Sequence, residues 1–312
     1  MAQVFDYTTA MEQLAALQAL DGDDVNSVCR SGALTHGETT DDAIVLIHGM
    51  TNCPQQFSDF APLLYARGYN VLVPRQPHNG LADRNTRALA KLTVAELKAY
   101  GEQVTDIARG LGRRVTILGI SAGAVIAAWL AQFRSDVDRA VVVAPVFGIL
   151  PELPSAINDT ANWLTMQILL ALPNIMTQSF RPFKEGPDYG YLGFSSRSLG
   201  TVMRLGQEVF RAAKATAPAA RSIVVTSNQN DEAVNDRMTE HLVERWRAHG
   251  AQASIYTFAR SERLGHDIID PRQPNQRTSY VYPILLDLIT GQTTAPVNAP
   301  SHPGAEGSAI AN

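Results

Sequence analysis

The residues best placed to do chemistry lie in a Gly-x-Ser-x-Gly segment, where Ser121 stands between Gly119 and Gly123. A β-branched apolar stretch precedes the segment and an Ala-rich stretch follows it, which predicts a serine on a tight turn from strand to helix. Glycines remove the Cβ atoms that would collide in that turn, and the helix N-terminus favours negative charge at the hydroxyl. We expect Ser121 to be a nucleophile; a packing serine in a glycine-rich turn is the alternative.

A serine hydroxyl needs a base, and a histidine oriented by a carboxylate is the usual one. Of the seven histidines, only His266 follows the last predicted strand, where a loop can return it to the carboxyl edge of a sheet. Asp231 opens the loop after an apolar strand and is the expected partner, unless it caps the next helix. Asp267 and Asp270 are close to His266 in sequence, and such near neighbours seldom have room to orient the ring.

Acyl transfer also needs hydrogen-bond donors aimed at the developing oxyanion, and backbone N–H groups are suited to this because they are rigid. We expect one donor from Ala122, at the start of the helix, and a second from Met50, in the turn after an earlier strand. Gly49 allows that turn. His48 ends the same strand and fits a structural or oxyanion-loop role, and we expect both His48 and Gly49 to border the substrate.

The elements that must position these residues alternate between strands and helices. Short apolar runs predict strands at residues 43–47, 70–73, 115–118, 137–143, 222–226 and 253–258. Helical spacing separates most of these runs, and Thr93 and Glu96 have the spacing of a capping box at one helix start. The alternation predicts an α/β fold built on a mostly parallel, doubly wound sheet.

Two regions interrupt this alternation. Residues 147–221 separate two strands by far more than one helix needs, which predicts a helical cap over the sheet. The core is then residues 1–146 and 222–290, and the Ala-, Pro- and Gly-rich tail at 291–312 is expected to be disordered. Trp163 and Phe180, in the aromatic cap segment, are the expected substrate contacts there.

These motifs together resemble the α/β-hydrolase superfamily of serine esterases and lipases. The resemblance rests on His48-Gly49-Met50-Thr51 after a strand, the Gly-x-Ser-x-Gly elbow, and then Asp231 and His266 in that order. It spans residues 40–290 and implies an α/β-hydrolase fold whose cap follows the strand after the nucleophile helix. The short His-Gly-x oxyanion loop is similar to that of bacterial carboxylesterases and monoacylglycerol lipases.

The composition limits the classes of partner, and the N-terminus and the cysteines bear on the compartment. An apolar fraction of 45% fits a large core, and a net charge of −4 lacks the basic field that nucleic acid requires. No cofactor, metal site or membrane span is expected, and a homodimer is possible. The N-terminus lacks a secretory signal, so we expect a cytoplasmic protein unless a leader was removed. Cys29 and Cys53 form either one disulfide or two reduced thiols.

The expected function is a carboxylesterase that cleaves small-molecule esters through an acyl-enzyme intermediate. Lipases, monoacylglycerol lipases, thioesterases and polyester hydrolases use the same groups and stay open as alternatives. A non-catalytic binding protein of the same fold is the alternative from another class. A nucleotide-dependent enzyme fits poorly, because Gly110-Leu-Gly112 precedes a strand instead of following one.

Overall fold

A seven-stranded sheet forms the centre of the protein, as described by a computed structural model for residues 6–172, 174–178, 186–274 and 276–292. The strands are β1 (Gly32–Leu34), β2 (Thr40–Ile47), β3 (Asn70–Val73), β4 (Gly112–Ile120), β5 (Arg139–Val143), β6 (Met176–Gln178), β7 (Gly193–Ser195), β8 (Ser222–Asn228) and β9 (Ala253–Phe258). The sheet order is β1-β3-β2-β4-β5-β8-β9, and β6 pairs only with β7. All pairs in the large sheet are parallel except β1 with β3. The predicted α/β architecture is confirmed.

Helices cover both faces of this sheet. They are α1 (Tyr7–Gln18), α2 (Ala61–Tyr65), α3 (Val94–Leu111), α4 (Ala122–Phe133), α5 (Ser155–Ala171), α6 (Ser196–Ala212), α7 (Asp236–Ala248) and α8 (Thr278–Thr290). One apolar cluster joins the sheet to α1, α3, α4, α6 and α7, and a second joins the opposite face to α2 and α8. The central strands are buried on both sides, which is why they are apolar without alternation.

The helix starts agree with the sequence signals where those signals are strong. At α3 the Thr93 hydroxyl accepts the Glu96 N–H (3.2 Å), and the Glu96 carboxylate accepts the Thr93 N–H (2.9 Å). Between β2 and β3, where the sequence has helical spacing, the structure has a 3₁₀ turn, Pro54–Phe57, followed by the short α2. Pro62 lies in the first turn of α2, where its missing N–H is tolerated.

The insertion between β5 and β8 does not form a separate core. Its helix α6 contributes Val202, Met203 and Phe210 to the cluster that also contains the α4 residues. The other helix, α5, turns Leu164 and Ile168 toward solvent. Residues 293–312 of the predicted tail lie outside the described part of the chain.

The N-terminal segment is tied to the loop after β2. Cys29 and Cys53, which are 24 positions apart, form a disulfide, and both are fully buried. This decides between the two alternatives that the sequence left open. Within the described residues, no helix has the length and apolar character needed to cross a bilayer.

Candidate active site

Ser121 lies on a sharp turn between β4 and α4. Its backbone has φ 58° and ψ −114°, a left-handed conformation that is uncommon for a residue with a side chain. A Cβ on Gly123 would collide with the carbonyl oxygen of Ile47, and a Cβ on Gly119 would collide with the backbone of Gly123. Both glycines are therefore required by close backbone approach, and the strained turn presents the Ser121 hydroxyl to the cavity described below.

A continuous hydrogen-bonded chain joins three side chains that are far apart in sequence. His266 Nε2 lies 2.9 Å from Ser121 Oγ, and His266 Nδ1 lies 2.6 Å from Asp231 Oδ2. The Asp231 side chain is completely buried, and its other oxygen accepts the N–H of Ala233 at 2.8 Å. The carboxylate thus fixes the orientation of the ring, and the opposite ring nitrogen faces the serine hydroxyl.

The loops that bring His266 and Asp231 together are held by Asn228, the last residue of β8. Its amide donates to the carbonyls of Leu264 and Gly265, at 3.1 and 2.8 Å. The carbonyl of Asn228 accepts the N–H of Asp231 at 2.8 Å. One buried side chain thereby sets the spacing between the loop that carries His266 and the loop that carries Asp231, and no motif in the sequence pointed to it.

The turn after β2 is positioned by the buried side chain of His48. The backbone N–H of Gln76 lies 3.0 Å from His48 Nε2, and an N–H can only donate, so Nε2 accepts and Nδ1 carries the proton. Nδ1 then donates to the carbonyl of Gly49 at 2.7 Å. Burial lowers the pKa of His48 to about 3, which keeps the ring neutral at neutral pH.

The contact between His48 and the Gly49 carbonyl fixes the direction of the Met50 N–H. The peptide between Gly49 and Met50 is trans, so its N–H points away from its carbonyl. The carbonyl is held by His48 and by the N–H of Asn52 at 3.2 Å. Within the described residues, neither the Met50 N–H nor the Ala122 N–H donates to an acceptor. Both groups are available for the negative charge that would develop beside Ser121.

A cavity of about 360 Å³ opens over Ser121 and His266. Gly49 and Met50 border it beside the serine. Its apolar wall is formed by Val146, Ile149, Leu192, Phe194, Leu199 and Val234. Its polar side includes Thr51, Asn52, Arg84, Asp267 and Gln273. The cavity therefore has one apolar wall and one polar side.

Two of the predicted substrate contacts are corrected by the structure. Trp163 does not border the cavity; its ring packs edge-on against Phe210 with centroids 5.2 Å apart. His48 is fully buried behind the turn after β2 and does not border the cavity. Phe180 lies outside the described residues. Among the described residues of the insertion, the aromatic side chains of Tyr191 and Phe194 do border the cavity.

A segment of the insertion, residues 186–192, is fastened across one side of the cavity. Arg84 donates to the carbonyls of Gly190 and Pro187, at 2.7 and 3.2 Å. The Tyr191 hydroxyl donates to the carbonyl of His78 at 2.8 Å, and the Tyr191 N–H donates to the Thr51 carbonyl at 2.8 Å. Sequence reasoning missed Arg84, because a lone arginine in a long loop carries no signal of its partners.

The sequence model of the alpha/beta hydrolase family matches residues 44–277. The chain is also 36% identical, over 116 residues, to the pyrethroid hydrolase of Sphingobium wenxiniae. That match covers 35% of this chain and 39% of the relative, so this chain spans about two fifths of the length of the curated relative it matches.

Solved structures of lipolytic enzymes have a similar fold. A structure described for LipS and LipT, two metagenome-derived lipolytic enzymes, has a TM-score of 0.63 at 14% identity and covers 86% of this chain and 99% of that chain. The monoacylglycerol lipase of Paleococcus ferrophilus has a TM-score of 0.61 at 15% identity, covering 83% of this chain and 98% of that chain. At such identities the likeness concerns the fold.

Proposed function

Because this chain belongs to the alpha/beta hydrolase family, we propose that it hydrolyses carboxylic esters through an acyl-enzyme intermediate on Ser121. The observation that carries the proposal is the chain of contacts from Ser121 Oγ to His266 (2.9 Å) and from His266 to Asp231 (2.6 Å), beside a cavity. A hydroxyl, a base and an orienting carboxylate in this geometry are what nucleophilic acyl transfer requires.

In the first half-reaction, Ser121 Oγ attacks the carbonyl carbon of the ester while its proton passes to His266 Nε2. The carbonyl oxygen becomes an oxyanion, which the N–H groups of Met50 and Ala122 stabilise. The tetrahedral intermediate then collapses. The bond to the alkoxy oxygen breaks, and His266 returns the proton to that oxygen, so that the alcohol leaves and the acyl group remains on Ser121.

In the second half-reaction, a water molecule attacks the acyl carbonyl and gives its proton to His266. The oxyanion forms again in the same place, and its collapse breaks the bond to Ser121 Oγ. His266 then reprotonates Ser121, and a carboxylic acid is released. Asp231 orients the ring and stabilises the imidazolium that forms in each half.

The proposed substrates are uncharged esters with an apolar group, because Ile149, Leu192, Phe194 and Leu199 line the same cavity as Ser121. The relatives' names support this class, since a pyrethroid hydrolase and a monoacylglycerol lipase are among them. Lipases, thioesterases and polyester hydrolases would use the same residues, so the leaving group and the acyl length must be measured.

The test is covalent labelling by a fluorophosphonate, combined with a panel of aryl esters of increasing acyl length. Wild-type protein should be labelled at Ser121 and should hydrolyse part of the panel, and Ser121→Ala should lose both properties. Ser58→Ala is a suitable control, because among the described residues that hydroxyl donates to the neighbouring Asp59 and Ser58 does not border the cavity. Undiminished hydrolysis by Ser121→Ala would overturn the proposal, and a wild type inert in both assays would favour a binding protein.

The compartment and the oligomeric state remain predictions. The Cys29–Cys53 disulfide favours an oxidising compartment over the expected cytoplasm, because cytosolic thiols are kept reduced. Mass measurement of the unreduced protein taken from its own cells tests whether the bond forms there, and light scattering tests whether the protein is a homodimer.

A further inference from the structure

Gln56 connects the two loops on which the proposed chemistry depends. It belongs to the 3₁₀ turn after β2 and is 2% exposed. Its Oε1 accepts the N–H of Gly49 at 2.9 Å, and its Nε2 donates to Asp267 Oδ2 at 2.8 Å. The amide orientation is unambiguous, because an N–H must meet the oxygen and a carboxylate must meet the nitrogen.

At the other end of this link, Asp267 anchors the loop that carries His266. Its Oδ1 accepts the N–H groups of Ile269 and Asp270, at 3.2 and 3.1 Å. Its Oδ2 accepts side-chain amides of Asn52 (3.2 Å) and Gln273 (3.0 Å) in addition to that of Gln56. Five donors therefore fix the carboxylate that directly follows His266.

Gly49 is equally constrained at its own end of the link. Its N–H is held by Gln56 and its carbonyl by His48, so both peptide planes that flank Gly49 are fixed. The second of these planes carries the Met50 N–H. A shift of the first plane would turn that donor away from the position of the oxyanion.

We propose that Gln56 is a positioning residue, which couples the turn bearing the Met50 N–H to the loop bearing His266 through Asp267. Gln56 borders the cavity, but its amide oxygen and nitrogen are bound to Gly49 and Asp267 and not to the reacting groups. Its effect is to hold the oxyanion donor and the base at a fixed separation, so that the two act on one tetrahedral centre. This inference rests on the proposed ester hydrolysis.

The principal variant is Gln56→Leu, which removes both hydrogen bonds at similar volume. The loss of one oxyanion-hole donor lowers kcat by about 10²–10³-fold, and a misaimed donor should lower it by about 10- to 100-fold, with KM changing less than threefold. The affinity for an alkyl boronic acid, whose tetrahedral adduct places an oxygen at the same site, should weaken in parallel with kcat/KM.

Two controls separate positioning from a general loss of stability. Gln132 is also buried, and its amide contacts Trp246 and Ala217 away from the cavity. Gln132→Leu should lower the melting temperature but leave kcat and boronate affinity within twofold of wild type. Gln55→Leu tests the neighbouring position in the same turn and should also leave kcat unchanged.

Gln56→Glu provides a readout that a merely structural role would not move. The glutamate keeps an acceptor for the Gly49 N–H but sets a carboxylate against Asp267. Protonation at low pH restores a donor toward Asp267, so the ratio of kcat/KM between Gln56→Glu and wild type should rise as the pH falls from 8 to 5. This variant also decides the matter if Gln56→Leu does not fold.

The results distinguish this inference from the proposed function. A wild type that is neither labelled by fluorophosphonate nor active on any ester refutes the proposed function. A labelled and active wild type refutes the role of Gln56 if Gln56→Leu keeps its kcat and boronate affinity. A constant Gln56→Glu ratio across this pH range refutes it as well.

Discussion

His48 Nδ1 lies 2.7 Å from the carbonyl oxygen of Gly49 and donates its proton to it, on the far side of the peptide whose N–H belongs to Met50. The Gln76 N–H donates to Nε2 at 3.0 Å and fixes the ring on its other side. A buried, neutral histidine thus sets the direction of a backbone donor that lies at the surface of the cavity.

This relationship predicts different effects for two substitutions of His48. The amide nitrogen of an asparagine lies near the position of Nδ1, so His48→Asn can still donate to Gly49. Glutamine reaches toward Gln76 instead and leaves the Gly49 carbonyl without its donor. We expect kcat to fall by about tenfold in His48→Asn and by about 10²-fold in His48→Gln, within the range for oxyanion-hole damage. Steady-state kinetics measure both, and equal losses would contradict the proposed role of Nδ1.

The apolar wall predicts which aromatic side chain controls the choice of ester. Phe194 borders the cavity and Trp163 does not. Phe194→Ala removes a ring from the cavity wall and leaves room for a longer acyl chain. Because a methylene in an apolar pocket contributes about 1–3 kcal/mol, the ratio of kcat/KM for octanoate esters to that for acetate esters should rise by about tenfold. Trp163→Phe, which keeps an aromatic ring beside Phe210, is the matched control and should leave the ratio unchanged. A larger effect from Trp163→Phe would restore the original prediction for that residue.

Asp236 predicts a pH dependence of stability. Its Oδ1 is buried and has no hydrogen-bond partner among the described residues. Burial, followed by the nearby charges of Asp231, Glu152 and Glu240, raises the pKa of Asp236 from 3.8 to about 7. Between pH 4 and 7 the folded state therefore binds more protons here than the unfolded state, and this contribution to stability is lost as the pH rises through 7.

The variant Asp236→Asn carries no charge at any pH and should remove this dependence. We expect its melting temperature to exceed that of wild type at pH 8 and to approach it at pH 5.5. Differential scanning calorimetry of both proteins across this range measures the difference, with the exposed Asp59→Asn as control. Parallel curves for wild type and Asp236→Asn would show that the carboxyl is ionised in the folded protein.

The disulfide predicts a loss of stability on removal. The bond between Cys29 and Cys53 closes a loop with a sequence separation of 24, for which the unfolded-state constraint contributes about 3 kcal/mol to the free energy of unfolding. Cys29→Ala/Cys53→Ala should unfold at a correspondingly lower denaturant concentration. Wild type measured in reductant should shift toward the variant, and the variant itself should not respond. Because the bond is buried, reductant is added to the unfolded protein. A wild type whose unfolding midpoint is then unchanged would contradict the bond.

Local sequence was enough to predict the elbow, the six parallel strands β2, β3, β4, β5, β8 and β9, and the capping box at Thr93. Each of these depends on neighbours in the chain: glycines that allow close backbone approach, apolar runs of strand length, and a Thr and a Glu three positions apart. The chain order of Ser121, Asp231 and His266 along successive strand ends was also readable. In a parallel sheet, the carboxyl ends of successive strands meet at one edge.

The tertiary structure alone decided the contacts between loops. Gln56 meets Asp267 across 211 positions, and Asn228 holds the His266 loop across 36; no local pattern encodes such a distance. The same is true of the tautomer of His48, the disulfide, and the choice of Phe194 over Trp163 at the cavity. A side chain's partner is set by where distant backbone segments pass, so residue type and spacing could nominate the reacting groups but not the buried amides that hold them in place.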